Sequence, residues 1–194
     1  LPLNQVRLTG GPLKRAQDLN AQYLLALEPD RMLALLRESA GLKPKAEPYG
    51  GWDGRGRQLS GHIAGHYLSA VSLMYAATGD PRFQERARNL VQELQEVQQA
   101  HGDGYLGAQT DRDGVPGKRR LEELREGNIR AAAFDLNGLW SPWYVNHKLF
   151  AGLRDAYRLT GNRTALQVAE AYAAWVEKIL QPLTDEQLQT MLRT

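Results

Sequence analysis

Residues 140–157 read WSPWYVNHKLFAGLRDAY and combine the start of a helix with a concentration of aromatic side chains. Ser141 can cap this helix, and Pro142 suits its first position because the missing N–H of proline costs no hydrogen bond there. The pattern therefore predicts a helix that begins at Pro142, and the first turns carry two indoles, a phenol, an amide and an imidazole. These rings are either core anchors, with His147 hydrogen-bonded at their edge, or the wall of a binding site.

The same kind of turn follows this helix and an earlier one. Residues 160–162 read TGN after the helix described above, and residues 78–80 read TGD after a helix predicted over about 59–78. An amphipathic helix follows the turn in both places. The sequence therefore predicts a repeated helical hairpin.

The other segments are also mainly helical. Prolines at 12 and 29 mark the first two helices, a charged helix is predicted over 119–126, and Thr184 with Gln187 forms a capping box for a last helix. No segment alternates with a period of two for long enough to predict a strand. The fold class is therefore all-α, either an α/α toroid or a helical solenoid. A toroid is favoured because it would gather the aromatic residues at one mouth, namely Trp52, Tyr105, Trp140, Trp143 and Tyr144.

Composition excludes several classes of function. The 194 residues carry a net charge of only +2, which argues against nucleic acid or an anionic membrane as the main partner. There is no cysteine, so this segment holds no disulfide, thiolate metal site or cysteine nucleophile. No apolar run approaches the roughly 18 residues of a membrane span, and the start of the chain lacks the features of a signal peptide. We therefore expect either a cytoplasmic chain or one from which a signal has been removed.

Two histidines are spaced to share one face of the third predicted helix. His62 and His66 are four residues apart. A zincin motif would need glutamate where this chain has Ile63, so the pair is poor evidence for a metal. The pair suits hydrogen bonds to a polyhydroxylated ligand, and the alternative is that both histidines only pack between helices.

Two glycine-rich loops add candidate binding residues. The loop over 43–57 holds Trp52, which is either a ligand wall or a plug that fills a gap. The loop over 101–107 holds Asp103 as an acceptor and Tyr105 as a stacking face. The alternative for the second loop is a common Asp-Gly turn.

At these positions the sequence resembles a known enzyme family over nearly its whole length. The matching motifs are EPYGGW at 47–52, LSGH at 59–62 with GHYLSA at 65–70, GDGYLG at 102–107, FDLNG at 134–138, and WY with HKLFAGL within 143–153. They are similar to the amino-terminal half of the β-L-arabinofuranosidase group of glycoside hydrolases, families 127 and 146, long labelled DUF1680.

The resemblance implies an (α/α)6-barrel that releases terminal β-L-arabinofuranose from plant-wall glycans with retention of configuration. It further implies a zinc-bound cysteine thiolate as nucleophile and a glutamate as acid/base. Both motifs would lie downstream of Thr194, so residues 1–194 would be the amino-terminal portion of one barrel domain, truncated before the catalytic motifs. We expect zinc in the complete enzyme, none bound by this segment, and no catalytic activity from the segment alone. Its partners would be an arabinofuranose-containing glycan and the missing carboxy-terminal half of the domain, in the periplasm or outside the cell.

The segment could carry one side of the subsite for the terminal sugar. His62, His66 and His147 would bind furanose hydroxyls, with Asp103 as a further acceptor. The apolar walls would be Trp52, Tyr105 and Trp143.

Three alternatives stay open at this point. Asp103 could pair with Asp53 or Asp135 as a two-carboxylate glycosidase, which needs the carboxylates about 5–10 Å apart. The chain could instead be a non-catalytic carbohydrate-binding protein or a helical scaffold that binds another protein.

Overall fold

The structure is a computed structural model that describes residues 1–192 and is built from helices. The α-helices in these residues are α1 (Gly11–Ala26), α2 (Pro29–Ser39), α3 (His62–Thr78), α4 (Pro81–His101), α5 (Gly117–Arg125), α6 (Pro142–Thr160), α7 (Arg163–Leu180) and α8 (Asp185–Met191). Short 3₁₀ turns cover Leu3–Gln5 and Gly51–Asp53. The all-α prediction is confirmed, and the helical hairpins are of the α/α toroid type.

The predicted repeat of the helical hairpin is confirmed. The hydroxyls of Thr78 and Thr160 each donate to the carbonyl four residues earlier, at 2.7 and 2.6 Å. Gly79 and Gly161 follow with the same left-handed φ of 74°, which ends α3 and α6. The next helices, α4 and α7, pack back against α3 and α6. The two hairpins therefore form the centre of the fold.

α3 and α6 lie unusually close together. A Cβ added to Gly65 on α3 would lie 2.2 Å from the carbonyl oxygen of Lys148, and one added to Gly152 on α6 would lie 2.5 Å from the carbonyl oxygen of Gly65. Leu68 and Leu149 are fully buried beside this contact. The glycine pair thus lets the two backbones meet and sets the distance between the side chains on α3 and those on α6.

The predicted cap of α6 is wrong, although its starting residue is confirmed. Ser141 has a left-handed backbone with φ of 42°, and within the described residues its side chain makes no capping hydrogen bond. The cause lies in the turn that leads into α6. In this turn the N–H of Ser141 donates to the carbonyl of Phe134 at 2.9 Å, which fixes the left-handed conformation of Ser141. Similarly, α3 begins at His62 rather than near Leu59, because Gly61 is left-handed with φ of 97°.

A small antiparallel sheet precedes α6 and was not predicted. Its strands are β1 (Ala131–Ala132), β2 (Asp135–Leu136) and β3 (Leu139–Trp140), in the order β1-β2-β3. We call residues 131–140 the ribbon. The buried Asn137 fixes it, since its side-chain oxygen accepts from the N–H of Arg130 at 2.8 Å and its amide donates to the carbonyl of Asn128 at 2.9 Å.

The capping box of α8 is confirmed, with Thr184 and Gln187 in the predicted roles. Across residues 1–192, none of the helices combines the length and apolar composition needed to cross a bilayer.

Candidate functional site

Side chains from α3 and α6 meet in one cluster beside the glycine contact. The Nε2 of His66 and the hydroxyl of Tyr144 form a hydrogen bond of 3.0 Å. The His62 ring lies 5.7 Å from the His66 ring and 5.9 Å from the Tyr144 ring, measured between centroids. We call these three residues the imidazole cluster. It joins the two helices through polar atoms that also face solvent, because His66 and Tyr144 are exposed.

The surroundings of His66 favour its neutral form. Partial burial lowers the pKa of His66 below the usual value of 6.5, and the nearby Lys148, His62 and His147 lower it further. The ammonium of Lys148 lies 4.9 Å from the centre of the Tyr144 ring. A neutral imidazole has one donor and one acceptor nitrogen, so His66 can hydrogen-bond a hydroxyl group in either sense.

His62 is the buried member of the cluster, and neighbouring polar groups hold its ring in place. Its Nδ1 donates to the carbonyl of Leu59 at 2.8 Å. The buried Asp53 lies 3.4 Å from the same nitrogen and accepts the N–H of Gly61 at 2.8 Å. These contacts fix the ring and leave Nε2 as the atom that can meet a ligand.

Two cavities adjoin the cluster. The ribbon cavity, lined by Phe134 and Trp140 of the ribbon, has a volume of about 490 Å³. The loop cavity, lined by Tyr49 and Asp53 of the 43–57 loop, has a volume of about 310 Å³, and both sizes are typical of small-ligand sites. Trp52 lines both cavities and makes an edge-to-face contact with Trp140 at 5.9 Å. Tyr144 lines the ribbon cavity and His62 the loop cavity. The rings of the ribbon cavity are Trp52, Phe134, Trp140, Trp143 and Tyr144.

Two buried donors on α6 lack partners among the described residues. They are the indole N–H of Trp143 and the amide of Asn146, which is three residues further on. The Asn146 oxygen accepts from the Tyr172 hydroxyl at 2.5 Å. Buried polar groups are nearly always hydrogen-bonded, so this side of α6 retains unused hydrogen-bonding capacity next to the cavity wall.

The structure brings some of the candidate residues together. His62, His66, Trp52 and Trp143 lie in the cluster or on the walls of its cavities. His147 is exposed on α6, and it contributes to the lowered pKa of His66.

The structure places Asp103 and Tyr105 elsewhere. Tyr105 is buried, with its ring 4.9 Å from His101 and 4.7 Å from Trp175. Asp103 pairs with Lys118 at 2.8 Å and accepts the N–H of Tyr105. These contacts belong to the packing of the 101–107 loop against α7, and neither residue lines the two cavities.

The three carboxylates of the paired-carboxylate alternative have separate partners. Asp53 is buried beside His62, and Asp135 pairs with Arg57 at 2.5 Å. Asp103 is engaged by Lys118. This arrangement gives no support to a two-carboxylate site.

Sequence reasoning did not single out Phe134, and it placed Tyr144 and Asn146 in the crowded start of α6 without assigning either a binding role. The available signal for Tyr144 was its position at the start of α6 in the aromatic stretch, but the glycine contact that aims it at α3 is not visible in the sequence. The position of the Phe134 side chain depends on a turn in which the φ of Phe134 itself is 56°.

The metal-binding capacity of these residues is limited. In the part of the chain that the structure describes, no three His, Cys, Asp or Glu side chains are grouped to hold a metal ion. The sequence has no cysteine. The residues present therefore do not fit a zinc site with thiolate ligands, and we assign no metal ligand among them.

Comparison with known proteins agrees with the motifs. The family model for the β-L-arabinofuranosidase, GH127 catalytic domain matches residues 5–194. No curated protein matches the chain.

Proposed function

Because the chain belongs to the GH127 β-L-arabinofuranosidase catalytic-domain family, a family of glycoside hydrolases, we propose that its imidazole cluster binds a terminal β-L-arabinofuranosyl residue of a glycan. His62, His66, Tyr144 and His147 are the hydrogen-bonding residues. Trp52 and Trp143 are the apolar walls. The observation that carries the proposal is the 3.0 Å hydrogen bond between His66 and Tyr144 across α3 and α6.

The chemistry of the cluster suits a neutral sugar. Sugar hydroxyls both donate and accept, and so do a neutral imidazole and a phenol. Burial and the neighbouring Lys148 lower the pKa of His66 and so favour its neutral form. A hydroxyl that enters between His66 and Tyr144 can therefore replace their mutual hydrogen bond with one bond to each.

The walls beside the cluster suit the carbon face of a sugar ring. Aromatic rings supply large rigid apolar surfaces, and a sugar presents C–H groups to such a surface. The ribbon cavity of about 490 Å³ lies in the size range of ligand sites and begins at Tyr144. A furanose held by the cluster would thus lie against indole surfaces.

The assigned residues serve to bind and orient the sugar. None of them is proposed as a nucleophile or general acid. The zinc-bound thiolate chemistry implied by the resemblance needs cysteine, which these 194 residues lack. The chain's own contribution to hydrolysis is therefore to fix the ring of the substrate.

The test is the binding of methyl β-L-arabinofuranoside, followed by calorimetry or by chemical-shift changes of the histidine rings. We expect the β-anomer to bind more tightly than the α-anomer, and His66→Ala or His147→Ala to abolish its binding. The matched control is His101→Ala, which removes an imidazole that lies against Tyr105. Equal binding of both anomers, or unchanged binding by His66→Ala, would overturn the proposal.

A further inference from the structure

Phe134 is a large apolar residue that is held in solvent. Its side chain is 69 % exposed, although burial of a phenylalanine is strongly favourable. It lies in the turn between β1 and β2 and lines the ribbon cavity. An exposed ring at this position adds no apolar surface to the core, so the aromatic side chain must have another role.

The backbone of Phe134 is also in an unfavourable conformation. Its φ of 56° lies in the left-handed region, which bulky residues rarely adopt. The N–H of Ser141 holds it there by donating to the Phe134 carbonyl at 2.9 Å. Strained residues that the surrounding structure fixes in this way are concentrated at ligand-binding positions.

A second exposed aromatic ring lines the same cavity. Trp52 comes from the loop before α3 and is 66 % exposed. Its edge-to-face contact with Trp140 orients it. Two different elements therefore present one exposed ring each to a single cavity.

Polar groups lie next to these rings. Asp135 lines the ribbon cavity, and its carboxylate accepts from Arg57 at 2.5 Å and from the N–H of Gly138 at 3.0 Å. Arg57 also donates to the Gly138 carbonyl at 2.9 Å. The carboxylate retains acceptor capacity beyond these bonds, because each of its oxygens has two lone pairs. Aromatic faces beside a fixed carboxylate are suited to a polyhydroxylated ring.

We propose that Phe134, Trp52 and Asp135 form a second sugar subsite, which binds the ring to which the terminal arabinofuranose is attached. This inference rests on the proposed function, since it places the first ring at the imidazole cluster. It makes Phe134 a residue that determines specificity for the second ring.

The test compares a one-ring ligand with a two-ring ligand. The ligands are methyl β-L-arabinofuranoside and a disaccharide with β-L-arabinofuranose at its non-reducing end, and the dissociation constant of each is measured by calorimetry. We expect Phe134→Ala to weaken disaccharide binding about three- to tenfold and to leave binding of the one-ring ligand unchanged. Phe134→Tyr keeps the ring and should retain the wild-type affinity.

Trp52→Ala should weaken both ligands, because Trp52 lines both cavities. The control is Tyr157→Ala, which removes an exposed ring from α6 outside the two cavities and should change neither affinity. Circular dichroism spectra establish that each variant is folded.

The outcomes separate this inference from the proposed function. If the wild type binds the disaccharide through Phe134 but not the one-ring ligand, the second subsite holds and the assignment of the imidazole cluster fails. If the one-ring ligand binds and Phe134→Ala leaves disaccharide affinity unchanged, or weakens both ligands equally, the second subsite is refuted while the first stands. If the wild type binds neither ligand, both are refuted.

Discussion

The contact between Gly65 and α6 predicts that one added methyl group will lower both the stability of the fold and the affinity of the proposed sugar site. In Gly65→Ala, the new Cβ would lie 2.2 Å from the Lys148 carbonyl oxygen and 2.7 Å from the Leu149 nitrogen. An ordinary contact begins at about 3.4 Å. The obstacle is backbone, which cannot rotate away as a side chain could. The two helices must therefore separate by about 1 Å.

Two opposing free-energy terms decide the stability of this variant. Overpacking of a tight core costs about 1–3 kcal/mol, and a backbone obstacle should place the cost at the upper end. Alanine gains about 1 kcal/mol over glycine in the interior of a helix. The net loss of unfolding free energy is therefore about 2 kcal/mol, which corresponds to a fall in Tm of roughly 4–8 °C for a domain of this size.

The same displacement reaches the imidazole cluster. His66 is the next residue after Gly65, and its bond to Tyr144 is 3.0 Å long. A separation of about 1 Å takes this distance beyond the hydrogen-bonding limit. We expect the affinity for methyl β-L-arabinofuranoside to fall together with the Tm.

The assays are thermal unfolding by circular dichroism and calorimetric binding of the methyl glycoside. Gly50→Ala is the control, because Gly50 has negative φ and nothing within 4 Å of an added Cβ. It should change the free energy of unfolding by less than about 0.5 kcal/mol. An unchanged or higher Tm for Gly65→Ala, with intact sugar binding, would show that helix propensity outweighs the contact and that the glycine pair does not set the helix spacing.

Three further predictions concern the charge of the site, the ribbon and the core. Sugar binding that needs neutral His66 should be lost as the pH falls through the lowered pKa of this residue. Lys148→Met removes one cause of that lowering, so the titration of the His66 ring, followed by NMR, should move to higher pH; an unmoved titration would contradict the assignment. Asn137→Ala removes the buried amide that fixes the ribbon and should lower the free energy of unfolding in urea by about 1–3 kcal/mol. The affinity for the disaccharide should fall more than the affinity for the one-ring ligand, and an equal fall would argue against a role of the ribbon. Arg37→Met breaks a largely buried ion pair of 2.6 Å with Glu93 and should destabilise the fold by about 2–3 kcal/mol. The sugar affinity should stay unchanged, and an altered affinity in the folded variant would mean that α2 positions the site.

The sequence was sufficient to predict the helices, because hydrophobic spacing and turn residues are local signals. The Thr-Gly turns after α3 and α6 occur where the repeat placed them. The capping box at Thr184 is a local signal of the same kind, and it is also present. These elements need no information about distant parts of the chain.

The features that were missed depend on tertiary contacts. The strands of the ribbon are two residues long, too short for any periodicity to appear. Ser141 belongs to a residue class that caps helices, yet its hydrogen bond to Phe134 forces a conformation from which the side chain does not cap. Tyr105 resembled a stacking face in an isolated loop, whereas contact with Trp175 buries it. In these cases the outcome was decided by strands too short to show a periodicity or by a contact outside the local pattern.

The position of the site follows from how the chain enters the two close helices. A left-handed residue stands directly before each of them, Gly61 before α3 and Ser141 before α6. Such a residue turns the chain sharply, so the segment that leads into each helix lies beside the first turns of that helix. One leading segment carries Trp52 and the other carries Phe134, and both reach the same cavity because Gly65 and Gly152 bring the two helices together. The hairpins thus hold the imidazole cluster at a fixed spacing, while the two leading segments supply the exposed rings. Substitutions of the exposed Trp52 or Phe134 should therefore change which glycan is bound without disturbing the helices beneath them.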